Sequence, residues 1–201
     1  MSLAIAQAHL RQADAVMQTL INRYGDCTIC PQYRYFAVLC QSIISQQLST
    51  KAADTIGARF FLLYPEGEEV SPAKVQATAN EQLHAIGISR AKANYIKNLA
   101  EAFLTSKLQP EEFSQLSDEE VAARLTTVKG IGRWTADMFL IFALNRWDVL
   151  PVGDLGVKKA VQLQYKLTEM PTVEQLIEIA ACWQPYRSVA AWYLWRSLDN
   201  K

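Results

Sequence analysis

Apolar side chains recur along nearly the whole chain at intervals of three and four residues rather than two. That spacing gathers them on one face of a helix and is incompatible with the alternation of a half-buried strand. No run of alternating β-branched residues interrupts it, so the sequence predicts an all-α protein. Start and stop signals divide the pattern into about eleven short helices. Ser49 is placed to cap a helix running to about Leu63 and ended by Tyr64-Pro65. Ser71 precedes a proline at a first helical position, Gly87 can end a segment begun near Asn80, and Ser89 opens the next. Ser117-Asp118-Glu119-Glu120 fits a capping box, in which hydroxyl and carboxylate each satisfy a backbone N–H that the helix leaves orphaned, and Thr172 with Gln175 offers a second.

At 201 residues, half of them hydrophobic, the chain can bury a core without disulfide or metal staples. Disordered, collagenous and cysteine-rich classes are excluded. The longest apolar stretch, Met138 to Leu144, is far short of the roughly 20 residues of a membrane span, so no membrane partner is expected. His9, Arg11 and Asp14 break up the N-terminal apolar pattern, which lacks the features of a signal peptide. The expected location is the cytoplasm, or the nucleus if the source is eukaryotic. Cys27, Cys30, Cys40 and Cys182 are then mostly reduced, and the C-x-x-C spacing of the first two lacks the second pair that a zinc site needs. His9 and His84 are isolated and read as structural.

The 20 basic and 20 acidic residues cancel, which at face value argues against a nucleic-acid-binding protein. The neutrality is a sum of opposites. Glu101, Glu111, Glu112, Asp118, Glu119 and Glu120 precede a stretch bearing Arg124, Lys129, Arg133, Arg146, Lys158, Lys159 and Lys166. A further basic group, Arg90, Lys92 and Lys97, lies on one earlier helix. Such runs are commonly only solvated faces.

Inside the basic stretch, Thr126-Thr127-Val128-Lys129-Gly130-Ile131-Gly132-Arg133-Trp134 reads as the end of one helix, a tight two-glycine turn and the start of another. Glycines allow positive φ and close approach of a ligand to the backbone. The first N–H groups of the second helix lack intrahelical partners and carry the positive end of its dipole. With Lys129 and Arg133 as counter-charges, Lys129, Gly130, Ile131, Gly132 and Arg133 form a hairpin suited to a DNA phosphate, though silent about base sequence. The plainer reading is a helix–helix turn with a glycine cap.

The run V-K-G-I-G-R-W-T-A-D resembles the helix-hairpin-helix of the DNA glycosylase superfamily. Leu150-Pro151-Val152-Gly153-Asp154-Leu155 is similar to the Gly/Pro-rich loop that follows it there, and Ile43-Ile44-Ser45-Gln46-Gln47-Leu48-Ser49 to the segment that enters the minor groove. Trp183-Gln184-Pro185-Tyr186-Arg187-Ser188, with Trp192 and Trp195, is similar to the C-terminal signature of the alkylpurine branch, 3-methyladenine DNA glycosylase II. The likeness runs over about residues 30 to 198, with its four motifs in order.

This resemblance implies a bilobal helix-hairpin-helix glycosylase fold with the active-site cleft between two helical lobes. Residues 31–137 would form the central lobe with the hairpin, and residues 1–30 with 138–201 a second lobe that includes the N-terminal helix and the catalytic Asp. It places Asp154 at the catalytic position, where a carboxylate can stabilise an oxocarbenium-like sugar, activate a water, or both. On residue chemistry alone, Asp154 reads equally well as the N-cap of the helix starting at Leu155. Trp134 and Trp195 are candidates for stacking on a flipped cationic base, with Met138 and Leu155 where relatives can carry aromatics. Gln46, Gln47 and Leu48 are the minor-groove group, with Gln47 or Leu48 filling the gap left by the base and Gln46 touching neighbouring bases.

Strand-cleaving members use a lysine where this chain has Trp134, and often four C-terminal cysteines for an iron–sulfur cluster that have no counterpart after Cys182. The family thus implies a monomeric, monofunctional enzyme acting on double-stranded DNA with alkylated bases. No cofactor is required, no cluster is expected, and a monovalent cation would sit on backbone carbonyls of Thr126, Val128 and Ile131. Two rivals remain: a non-catalytic DNA-binding module, and a glycosylase for oxidised or mismatched bases.

Overall fold

A computed structural model describes residues 2–64 and 70–199, so Pro65 of the expected Tyr64-Pro65 stop lies outside the described residues. The chain divides into two compact units, Met1–Pro31 with Asn145–Lys201, and Gln32–Leu144. Helices α1 (Leu3–Ala13) and α2 (Ala15–Tyr24) belong to the first unit. The second contains α3 (Tyr35–Ser45), α4 (Thr50–Leu62), α5 (Pro72–Ala77), α6 (Asn80–Ala85), α7 (Arg90–Leu104), α8 (Asp118–Thr126) and α9 (Arg133–Phe142). α10 (Leu155–Gln164), α11 (Val173–Ala180) and α12 (Arg187–Arg196) return to the first. Two 3-10 turns, Pro110–Gln115 and Ala181–Trp183, complete an architecture without strands among the described residues.

Most expected caps are in place because they act within a few residues of themselves. Ser49, Ser71 and Ser89 accept the N–H groups of Ala52, Lys74 and Lys92. Ser117 and Glu120 form the reciprocal capping box, as do Thr172 and Gln175. The N-terminal segment differs from expectation: the sequence predicts one helix there and the structure has two. Asp14 adopts an extended φ of −150°, ends α1 and caps α2 by accepting the Val16 and Met17 N–H groups on Oδ1. Its other oxygen accepts from Trp183 Nε1 at 2.9 Å and from the Tyr165 hydroxyl.

In the first unit, α12 packs on α1, α2 and α10. Trp183 and Tyr193 are fully buried, and neither polar tip is stranded. The Tyr193 hydroxyl donates to Gly25 O at 2.7 Å and accepts from Gln7 Nε2 at 2.7 Å. Buried groups of this kind would otherwise carry the cost of an unmade hydrogen bond.

In the second unit, α3 is the central element, packed on α4, α7 and α9 through Leu39, Cys40, Ile43 and Ile44, all inaccessible to solvent. The unit ends at Leu144 rather than at the expected Asp137. A break after Asp137 would cut the hydrogen-bonded turns of α9, whose Phe139, Leu140 and Ile141 are completely buried. Burying such side chains contributes about 1.5–3 kcal/mol each, which holds this helix to the unit that contains the hairpin.

Candidate functional site

The hairpin between α8 and α9 is shaped by two glycines with different tasks. Gly130 has φ +106°, and a Cβ there would lie 2.2 Å from the Tyr95 ring, so both backbone conformation and space demand glycine. Gly132 is in extended conformation, φ −100°, and a Cβ would meet nothing within 4 Å. It is the N-cap of α9 and offers no side-chain acceptor, and Gly132 and Arg133 are both exposed, so the positive end of the helix dipole faces an open approach. Lys129 is exposed beside it, and its own carbonyl accepts from Asn98 Nδ2 at 3.2 Å.

Arg133 differs from the sequence expectation of a counter-charge directed at phosphate. Its guanidinium forks onto Glu119, Nη1 to Oε2 at 2.7 Å and Nη2 to Oε1 at 2.9 Å, while Nε donates to buried Asp137 at 2.8 Å. The pairing holds the Glu119 carboxyl below its usual range, whereas burial pushes Asp137 up against the opposing pull of Arg133. Arg124 is likewise paired with Glu112 at 2.6 Å. Part of the acidic segment therefore neutralises the following bases by direct contact.

The minor-groove group lies at the end of α3. Gln46 donates Nε2 to Gly130 O and Thr135 Oγ1, both at 3.0 Å, tying this loop to the hairpin. Because Gly130 O can only accept, it fixes which end of the amide faces it. Gln46, which the sequence assigns to contact with neighbouring bases, is thus also a tie within the unit. Gln47 is exposed in a left-handed conformation, φ +57°. Leu48, 39 % exposed, lines a small recess with Ile44, Ile56 and Ile88.

Trp134 is half-buried in the first turn of α9, and Met138 follows one turn later, only 6 % exposed among core side chains. The other expected pocket residues belong to the first unit. There Asp154 is 7 % exposed and caps α10, its Oδ1 accepting Val157 N–H at 2.7 Å and the Trp195 indole N–H at 2.9 Å. Gly156 makes this contact fit, since a Cβ there would stand 3.0 Å from Asp154 Oδ1 and 3.2 Å from Trp195. Leu155, the next residue, is 71 % exposed.

Sequence reasoning missed the clamp behind the Asp154 loop. Arg187 donates Nε to Asp148 Oδ1 at 2.7 Å and Nη2 to Oδ2 at 3.0 Å and to the Asp148 carbonyl at 2.9 Å. Ser188 Oγ donates to Arg146 O and accepts Val149 N–H. The Arg187-Ser188 pair thereby fixes the strand of chain entering Leu150-Pro151, where Asp154 N–H closes a turn on Pro151 O at 2.9 Å. Its signal in the sequence was the C-terminal signature, which named the residues without their partners.

Thr126, Val128 and Ile131 offer carbonyls around the hairpin turn, and Val128 O already accepts Ile131 N–H at 3.0 Å. Backbone carbonyls can replace the hydration shell of a monovalent cation. Among the described residues no group of three or more His, Cys, Asp or Glu could hold a metal.

Residues 40–185 match the HhH-GPD superfamily of base excision DNA repair proteins. The chain is 34 % identical over 200 residues to DNA-3-methyladenine glycosylase 1 of Schizosaccharomyces pombe, covering 98 % of this chain and 88 % of that protein. It is 32 % identical to the alkylbase DNA glycosidase-like protein mag2 of the same organism, over 95 % of this chain and 92 % of that one. The solved structure of the S. pombe 3-methyladenine DNA glycosylase in complex with abasic DNA superposes with a TM-score of 0.88 at 34 % identity, covering 96 % of each chain. The chain belongs to the HhH-GPD superfamily of base excision DNA repair proteins.

Proposed function

We propose that this protein is a monofunctional DNA glycosylase that flips alkylated purines out of double-stranded DNA and hydrolyses their N-glycosidic bond, leaving an abasic site. The observation that carries the reading is the setting of Asp154, a nearly buried carboxylate aimed by Val157 N–H and the Trp195 indole at the end of a clamped loop. The S. pombe relatives, named for 3-methyladenine and alkylbase chemistry, support the choice of substrate.

An alkylated purine is already cationic and departs without a general acid, so one carboxylate facing the sugar suffices to stabilise the developing oxocarbenium ion or to activate water. Trp134, Trp195, Met138 and Leu155 are assigned to the base, with the tryptophan faces favouring its charge. The α9 N-terminus and Lys129 hold a backbone phosphate. Gln47 rather than Leu48 is assigned to the gap left by the flipped nucleotide, because, of these two exposed neighbours, it alone is held in a left-handed conformation, φ +57°, at the turn leaving α3. A monovalent ion on Thr126, Val128 and Ile131 would add positive charge beside that phosphate, and the chemistry needs no iron–sulfur cluster. The enzyme would act as a monomer wherever its DNA is, in cytoplasm or nucleus.

The decisive experiment incubates the purified protein with methylated duplex DNA and measures free 3-methyladenine and 7-methylguanine. Release is expected, with the strand intact until alkali is added. Asp154→Asn is expected to abolish release yet still bind a duplex containing an abasic analogue, since Asn caps a helix about as well as Asp. Binding without release by the wild type would favour a DNA-binding module. Release of oxidised or mismatched bases alone would favour the other rival, and nicking without alkali would exclude monofunctional action.

A further inference from the structure

Lys92, Tyr95 and Asn98 are spaced three residues apart on α7, so they leave the helix on neighbouring turns of one side. Each meets a different part of the proposed DNA-binding apparatus. Tyr95 packs under Gly130, and Asn98 donates to Lys129 O. Lys92 Nζ donates to Ile44 O and Gln46 O, both at 2.7 Å. These carbonyls lie at the end of α3, where the helix leaves its oxygens without partners. Burial lowers the Lys92 pKa, so this ammonium meets a desolvation cost that an exposed lysine avoids.

The contact bears on Gln47 directly. A left-handed residue other than glycine persists only where its surroundings over-determine it. Here Gln46 is held at both ends, its carbonyl by Lys92 and its side-chain amide by Gly130 O and Thr135 Oγ1. On the far side, Leu48 N–H donates to Ser45 O at 3.1 Å. One ammonium therefore joins the terminus of α3 to Gln46, and through Gln46 bears on both the following Gln47 and the phosphate hairpin.

We propose that Lys92 is a positioning residue for base flipping: it holds Gln47 in register with the phosphate hairpin, so its loss slows extrusion of the base while leaving the grip on the backbone intact. The inference rests on the reading of this chain as an alkylpurine glycosylase with Gln47 at the gap. It adds a residue that touches neither base nor phosphate and acts through the carbonyls of Ile44 and Gln46.

The test compares wild type, Lys92→Met, Lys92→Arg and Gln47→Ala by single-turnover excision of a methylated purine placed once in a duplex. A neighbouring 2-aminopurine reports unstacking, and affinity is measured on an abasic-analogue duplex. Lys92→Met is expected to slow excision and the unstacking signal by about tenfold, with affinity changed by less than about threefold, because flipping and phosphate contact are separate contributions. The defect should shrink when the purine sits in a bulge, where the base is already unstacked. Lys92→Arg should recover much of the rate, since a guanidinium can also donate to two carbonyls. Lys92→Met should add little in a Gln47→Ala background, as expected of residues acting in one chain of contacts. A wild-type rate in Lys92→Met, an equal loss on paired and bulged substrates, or additive effects with Gln47→Ala would each overturn the proposal. Should Lys92→Met fail to fold by thermal melting, Lys92→Gln, which keeps one donor group, carries the same comparisons. If the wild type itself releases no methylated purine, the functional reading fails; if it does and the Lys92 variants match it, only this inference fails.

Discussion

Trp195 donates its indole N–H to Asp154 Oδ1 at 2.9 Å, across 41 positions of sequence. The same oxygen accepts Val157 N–H, so the carboxylate is oriented by a helix N-terminus from one side and by α12 from the other. The sequence assigns the face of Trp195 to stacking, and the structure adds a second task for its indole edge, a hydrogen bond to the carboxylate. Capping and catalysis were alternatives for Asp154 in the sequence, and the geometry makes them compatible, because a cap fixes a carboxylate without removing its charge.

Trp195→Phe preserves an aromatic face and removes this donor. A hydrogen bond to a charged group is worth about 1.5–3 kcal/mol, so the single-turnover rate should fall about ten- to hundredfold. Affinity for an abasic-analogue duplex should change little. An equal loss of rate and affinity would instead indicate that the indole serves binding alone.

The hairpin glycines should separate folding from DNA contact. Gly130→Ala forces a side chain into positive φ at about 1–3 kcal/mol, with a clash against Tyr95 in addition, and about 2–4 °C of melting temperature is lost per kcal/mol. Gly132→Ala meets no protein atom and costs at most about 1 kcal/mol as a poorer N-cap, but its methyl stands where a phosphate would approach. It should melt near wild type and bind duplex DNA several-fold more weakly. Thermal melts beside binding isotherms check both, and normal binding by a well-folded Gly132→Ala would remove the hairpin from the phosphate site.

The parts legible in the sequence were local. Ser89, Ser117 and Thr172 announce helix starts because a cap acts within three residues, and the hairpin and the Asp154 loop are short contiguous motifs. The parts that were not legible join distant segments. Nothing near Arg133 says that Glu119 will take its guanidinium, nothing near Asp148 points to Arg187, and nothing in Gln46 points to Gly130. Asp14 was hidden for another reason. The apolar period continues through it, and a single Asp is tolerated in a helix, so only its partners, buried Trp183 and half-buried Tyr165, reveal a break.

Asp14 should therefore be a strong determinant of stability in the first unit. Asp14→Ala removes the α2 cap, worth about 0.5–2 kcal/mol, and leaves the Trp183 indole unsatisfied at about 1–3 kcal/mol. A combined loss of about 2–4 kcal/mol is expected in denaturant unfolding. Asp14→Asn keeps the capping oxygen and should lose less. Equal losses for the two variants would contradict the separation of capping from burial.

Glu119 should tune how strongly the hairpin holds undamaged DNA. It occupies both Nη atoms of Arg133, leaving that fork less able to pair with a phosphate. Glu119→Gln lowers the competing charge, and an Arg released to the backbone should steepen the dependence of log affinity on log salt by about 0.9. Tighter binding at low salt should accompany the steeper slope. Because both side chains are largely exposed, the ion pair itself contributes little to stability, and the melting temperature should stay close to wild type. An unchanged salt slope would mean that Arg133 remains with its own carboxylates on DNA, chiefly Asp137, and that Lys129 and the α9 N-terminus carry the phosphate without it.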